Sequence, residues 1–301
     1  MLKRTITFNE ALHTYTDEDN NCYTSVTTLI GKYVPQFDKD YWSKYKANQA
    51  GVSQNDILNN WSRITEDACA KGTKEHKLLE DSINNSIVNE PRTNYQSKEF
   101  LLVTALNKLT GCEFTNVNID ILAQSNLAKK YPDIFDYLRT KILEGFRLFV
   151  EKRTYSHEHL VAGTIDCLLV KGKQFIIVDW KTNKKELHFK SGYYKKVNGI
   201  ESTQWVDKKE YFLAPLNHLE HCKGNVYTMQ LSLYAYILEL WGLQCIGLVL
   251  YHIREGLKPK AYNILYDKMS CELLMIHHKN ALTVSSNTKN SNKNSNLFGI
   301  T

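Results

Sequence analysis

Residues 163–182, GTIDCLLVKGKQFIIVDWKT, set two aspartates into runs that are otherwise apolar and β-branched. Residues 164–170 and 174–181 read as two strands joined at Lys171-Gly172-Lys173. A two-residue turn puts Gly172 at its first central position, where a positive φ is needed. Lys171 then pairs with Gln174, and counting outward sets Asp166 opposite Asp179 and Thr164 opposite Lys181. Side chains alternate along a strand, so Asp179 and Lys181 share one face while Trp180 takes the other. Two carboxylates and one ammonium are therefore expected on one patch. Opposed like charges destabilise a strand pair. The run Phe175-Ile176-Ile177-Val178 implies a strand covered on both faces, where an unpaired charge is costly or is neutralised. A divalent cation removes the conflict: oxygen-rich sites suit magnesium or manganese, and a neighbouring lysine can orient or help deprotonate a water. A hairpin one residue out of register would instead leave both aspartates solvated near strand ends.

The rest of the chain frames this hairpin. Residues 4–29 read as a strand, a turn at 17–21, and a second strand running into Ser25, a hydroxyl cap for a helix. The pattern is helical from 38 to 84, broken near Gly51 and Ser53, polar over 85–98, and helical again over 96–109 and 132–150, with Pro132 in a first turn. A strand near 151–155 precedes the hairpin. A helix over 226–241 ends at Gly242 and is followed by a strand at 244–253, a strand-like stretch at 260–266 and a helix near 269–279. The expected fold is a mixed α/β core with a helical N-terminal extension. Residues 1–284 form one domain, 38–150 being mainly helical and 183–223 a lysine-rich insertion, and 285–301 form a disordered polar tail.

Composition narrows the class. No apolar run approaches the roughly 20 residues of a membrane span. The opening MLKRTITFNE enters a strand-like alternation without a secretory or presequence pattern, so a cytosolic location and no membrane partner are expected. Seven cysteines, at 22, 69, 112, 167, 222, 245 and 271, show no C-x-x-C spacing. They fit reduced, mostly buried thiols, and no iron–sulfur cluster is expected. The net charge of +6 is a modest basic excess. Nine lysines against five acidic residues fall between 181 and 223, and the interleaved Tyr193, Tyr194, Trp205, Tyr211 and Phe212 either stack on bases or pack the segment down.

Two helical segments carry further candidates. In KGTKEHKLLE, residues 71–80, Gly72 and His76 share a face, as do His76 and Glu80. His76 can join the aspartates at a metal or serve as a hydrogen-bonded helix histidine. Gln230 and Tyr234, four apart, form either a structural hydrogen-bonded pair or a contact to backbone phosphates. No GxxxxGK loop, GxSxG elbow or HExxH helix is present, which disfavours an ATP-driven motor.

Four elements in order, GTKEH at 72–76, GTID at 163–166, VDWKT at 178–182 and QLSLY at 230–234, resemble the PD-(D/E)XK nuclease superfamily. The resemblance is to its branch with RecB-type nuclease domains, phage exonucleases and the mitochondrial genome maintenance exonuclease. It implies a restriction-endonuclease-like mixed sheet flanked by helices. It also implies metal binding by His76, Asp166, Asp179 and the Trp180 carbonyl, with Mg2+ or Mn2+ as cofactor. Asp166, Asp179 and Lys181 would be catalytic, and Gln230 and Tyr234 would support DNA binding. Ile165 stands where other members carry proline, and the four cysteines of the iron–sulfur members are lacking.

The expected activity is thus metal-dependent exonucleolytic hydrolysis of DNA, on single strands or ends, in phage or bacterial recombination, replication or repair. The location would be the host cytoplasm for a phage-encoded chain, with recombination or replication proteins as possible partners. A catalytically silent DNA-binding module and an endonuclease are the competing uses of such a site.

Overall fold

The computed structural model describes residues 6–9, 12, 14–89, 115–197 and 199–295. Three short strands, β1 (Ile6–Asn9), β2 (Thr14–Asp17) and β3 (Cys22–Ser25), lead into α1 (Val26–Gly31). The Ser25 hydroxyl caps α1 by accepting the Thr28 N–H. Helices α2 (Lys39–Ala50) and α3 (Gln54–Asn84) are separated where expected. Gly51, at φ +66°, ends α2, and a Ser53–Asp56 capping box starts α3. A small ribbon, β4 (Ile87–Asn89) with β5 (Thr115–Val117), precedes α4 (Ile119–Ala123), α5 (Asn126–Lys130) and α6 (Pro132–Leu143). Then come β6 (Arg147–Ser156), β7 (Val161–Lys171) and β8 (Gln174–Lys181), a hairpin of β9 (Gly192–Val197) and β10 (Ile200–Asp207), and α7 (Lys223–Leu240). The last elements are β11 (Gln244–His252), β12 (Lys260–Asn263) and α8 (Lys268–Ser295).

The aspartate hairpin has the expected register from Lys171 opposite Gln174 to Cys167 opposite Val178, with Gly172 at φ +55°, but the ladder ends there and the expected pairs Asp166–Asp179 and Thr164–Lys181 are not part of it. Strands β6, β7 and β8 form an antiparallel meander, and α7 crosses over so that β11 lies parallel to β8. The fold is therefore α/β, a mixed sheet with helices on both faces. On one face Leu168, Phe175 and Ile177 pack with Met229, Leu233 and Ile237 of α7. On the other, Ile176, Val178 and Trp180 pack with Leu79 and Ile83 of α3 and Ile134 and Leu138 of α6. Each such side chain, fully withdrawn from water, contributes about 1.5–3 kcal/mol.

The sheet forks at the motif. One whole edge of β7 is taken by β6. The other edge pairs first with β3, at Val161 and Ala162, and then with β8 from Cys167 onward. Residues 163–166, GTID, occupy the gap between those two partners.

Several expectations need correction. The helix expected to reach 150 stops at Leu143, because Gly145 at φ +94° turns the chain and Leu148, Phe149 and Val150 enter a strand buried on both faces. A continuous apolar run carries no period that separates helix from strand. The block at 38–150 holds two further strands, and the C-terminal end of its α3 packs into the core through Leu79 and Ile83, while the turns before it lie largely on the surface. The lysine-rich segment contains the β9–β10 hairpin, and α8 stays helical beyond 279 to Ser295. The helix expected over 96–109 lies outside the described residues. Of the cysteines described, Cys167 and Cys271 are buried, Cys222 and Cys245 half-buried, and Cys22 and Cys69 exposed, fewer buried than expected.

The β2–β3 turn is closed by Asp17, whose carboxylate accepts the Asn21 and Asp19 amides, the Asn21 side chain and the Tyr23 hydroxyl. Burial opposes its charge, but these donors outweigh it and hold the pKa down to about 2. A depressed carboxylate stabilises the fold above its unfolded pKa, and that stability is lost as pH falls through about 2. Asp17→Asn is expected to lose roughly 1–2 kcal/mol at pH 7 and progressively less on acidification, read by urea denaturation across pH.

Candidate functional site

The gap in the β7 edge is where the polar residues collect. Beyond Cys167–Val178 the β7–β8 ladder stops, and the Asp166 carboxylate takes over as acceptor, Oδ2 receiving the Trp180 amide at 3.0 Å. The N–H and C=O of one residue in an extended strand point to the same edge. The Trp180 carbonyl is thereby aimed at the same gap, while its indole packs into the opposite core.

Asp179 is 1% exposed, and its Oδ2 lies 2.7 Å from Lys181 Nζ. That contact is a close ion pair, and Oδ2 is sealed from solvent with Lys181 as its charged partner. Burial pushes the Asp179 carboxyl up and the nearby Asp166 adds to this, although Lys181 pulls the other way. For Lys181, burial opposes the charge, but Asp179 and Asp166 outweigh it and hold the ammonium protonated above the usual lysine range.

Helix α3 delivers His76 from the other side. Gly72, one turn earlier, lets the helix approach: a Cβ there would stand 3.1 Å from Thr182 Oγ1. His76 Nδ1 comes within 3.6 Å of Asp166 Oδ2. Glu80, on the same helix face, contributes to the local negative field.

Helix α7 closes the third side. Gln230 donates to the Tyr234 hydroxyl at 3.1 Å, and the buried Tyr234 ring lies against Gly163, where a Cβ would fall 2.5 Å from Cε1. Burial pushes the Tyr234 phenol up, with the Asp179 and Asp166 charges adding. Gln230 and Tyr234 thus adjoin the aspartates and brace the GTID strand. All the residues singled out in the sequence, His76, Asp166, Asp179, Trp180, Lys181, Gln230 and Tyr234, converge at the fork.

Two neighbours were not read from the sequence. Glu151 of β6 stands opposite Asp166 in the unbroken β6–β7 register, but its φ of +49° interrupts the ladder. Its carboxylate, His76 and Asp166 have ligand atoms within 4.8 Å of one another. The only signal for it was the register of β6 against β7, and the sequence places a strand near 151–155 without pairing it. Tyr227 of α7 lies three residues before Gln230; Lys181 Nζ sits 4.9 Å from its ring centroid, and its hydroxyl donates to Asn183. His252 holds the same loop, 2.7 Å from the Asn183 carbonyl.

Glu151, Asp166 and Asp179 form a row across three adjacent strands, with Lys181 as the close cation. Carboxylate oxygens and an imidazole gathered within 4.8 Å, as in His76, Glu151 and Asp166, are a set that can hold a divalent cation.

No family model matches the chain, and no curated protein matches it. Among solved structures it is similar to one described as "Crystal structure of SSO0001", at 16% identity over 68% of this chain and 84% of that one, with a TM-score of 0.24. At that score the likeness carries no argument about activity. No described helix is long and apolar enough to cross a membrane.

Two outcomes follow from this geometry. Gly163→Ala is expected to lose about 1–3 kcal/mol, from forcing Cβ against Tyr234, measured by urea denaturation. Glu151 is exposed as a residue, yet surrounding protein first, then Asp166, Glu80 and Asp179, push its carboxyl up to about 8. Its raised pKa stabilises the fold at low pH, and that advantage is lost as pH rises toward 8. Glu151→Gln is therefore expected to raise the melting temperature of the metal-free protein at pH 8.5 relative to wild type and to leave it nearly unchanged at pH 4.

Proposed function

We propose that this chain is a metal-dependent deoxyribonuclease of the PD-(D/E)XK type, acting as an exonuclease on single-stranded DNA or DNA ends. The supporting observation is the meeting of Asp166, Asp179 and Lys181 at the fork, with His76 and Glu151 placing ligand atoms within 4.8 Å of each other and of Asp166. The β6–β7–β8 meander followed by α7 and a parallel β11 fits a restriction-endonuclease-like core.

Asp166, Asp179, His76 and the Trp180 carbonyl would hold Mg2+ or Mn2+; the sealed Asp179 oxygen and the absence of thiolates among these donors fit a hard cation. Such an ion supplies positive charge toward a phosphodiester and acidifies a water. Lys181 offers an ammonium N–H to the attacking water, and its pairing with Asp179 and packing on Tyr227 fix where that N–H stands. His252 and Tyr227, by pinning Asn183, keep the chain after Lys181 from drifting. Gln230 and Tyr234 seal the floor of the site.

The test is digestion of end-labelled linear DNA, single-stranded and duplex, beside closed circles, with Mg2+, Mn2+ or chelator. Wild type is expected to degrade linear DNA only, and only with metal. Asp179→Ala and Lys181→Ala are expected to lose about 10³-fold or more in rate while keeping the wild-type circular dichroism spectrum. Cleavage by either variant at the wild-type rate would sink the proposal, and cutting of circles would replace exonuclease with endonuclease.

A further inference from the structure

Two clefts open beside Lys181, on either side of the segment that leaves β8. The first, of about 930 Å³, is lined by α3, by the α5–α6 junction, by Thr182, Asn183 and Lys184, and by the 253–259 turn. The second, of about 530 Å³, is lined by α1, by the chain from Lys185 to Gly192, and by the first turns of α7, including Tyr227 and Gln230. The chain passes from one cleft to the other between Lys184 and Lys185. Lys181 adjoins both, through Thr182 on one side and the Tyr227 ring on the other.

Both clefts are basic beyond what their own carboxylates neutralise. In the first, Glu75, Asp133 and Glu255 each pair with a lysine, Lys130, Lys258 and Lys71. Lys74, Lys184 and Arg254 of its lining make no ion pair among the described residues. In the second, Lys208 pairs with Glu210, while Lys185, Lys190 and Lys223 make no ion pair among the described residues. Surplus cations in two clefts that flank the same segment match a polymer with a negative charge at every unit. The second cleft also has an aromatic rim. Tyr194, 38% exposed, packs edge-on against His188 of the lining and against Trp205, leaving ring surface on which an unpaired base can stack.

We infer that a single nucleic-acid strand runs through both clefts and crosses Lys181 between them. Lys74, Lys184 and Arg254 hold its phosphates on one side of the scissile position, and Lys185, Lys190 and Lys223 hold them on the other. This rests on the nuclease reading for what happens at Lys181, but the track itself is a binding property. It makes the lysine-rich segment a divider between two halves of one path rather than a cover over the site.

The probe is fluorescein-labelled dT30, with binding followed by anisotropy in chelator across a salt series. Lys74→Ala/Lys184→Ala/Arg254→Ala and Lys185→Ala/Lys190→Ala/Lys223→Ala are each expected to weaken binding by about tenfold or more at 0.1 M salt. Each is also expected to flatten the slope of log affinity against log salt by about 2, because three phosphates are no longer neutralised by the protein. The single reversals Lys74→Glu and Lys185→Glu, at exposed positions, guard against misfolding of the triple variants and should each weaken binding. Unchanged affinity and slope for either set, in a protein that melts like wild type, overturns the two-cleft path. Tighter binding of a 30-base-pair duplex with the same residue dependence overturns the single strand. Cleft-dependent binding without metal-dependent cleavage keeps the path and removes the nuclease reading, whereas cleavage with binding indifferent to both sets does the reverse.

Discussion

The structure depends on one substitution of partners: the Asp166 carboxylate accepts the Trp180 amide where a main-chain carbonyl would ordinarily continue the ladder. It lets β7 and β8 part without stranding a buried N–H, an arrangement that would otherwise cost about 1–3 kcal/mol. Because β3 picks up the same β7 edge on the other side of GTID, the sheet is held together around a gap rather than opened at its margin. The gap is therefore rigid, and it lies between α3 and α7, which pack on opposite faces.

The electrostatics follow from that placement. Burial first, with the neighbouring carboxylate charges adding to it, raises the proton affinity of Glu151 and of Asp179. Lys181 is kept charged by the same crowding that burdens the acids. Apolar packing on both faces of β8 offsets a local excess of negative charge. Such local conflict inside an otherwise consistent core is what a binding or catalytic centre looks like before its ligand arrives. A divalent cation bound among these carboxylates would relieve it.

The small-residue positions show how closely the helices are fitted to this centre. Gly163 and Gly72 are not turn glycines; each lacks a Cβ because a neighbour, the Tyr234 ring or the Thr182 hydroxyl, occupies the space. The tyrosine is thus located by a side chain its partner strand omits, and the histidine by one that its own helix omits one turn earlier.

The sequence alone determined the hairpin, its register, the shared face of Asp179 and Lys181, the capped break at residues 51–53 and the Gln230–Tyr234 pair. These are local: period, turn chemistry and side-chain spacing fix them within a few residues. Tertiary structure decided what local rules do not reach. Residues 147–150 became strand because β7 offered an edge, which brought Glu151 opposite Asp166. The segment after Lys181 folded into a hairpin, with Tyr193 and Tyr194 exposed and Phe212 buried. The C-terminal end of helix α3 joined the core because Leu79 and Ile83 pack in one cluster with Trp180 on a sheet face. Burial of a helix stripe depends on which surface meets it, and that surface was assembled from strands about a hundred residues further along the chain.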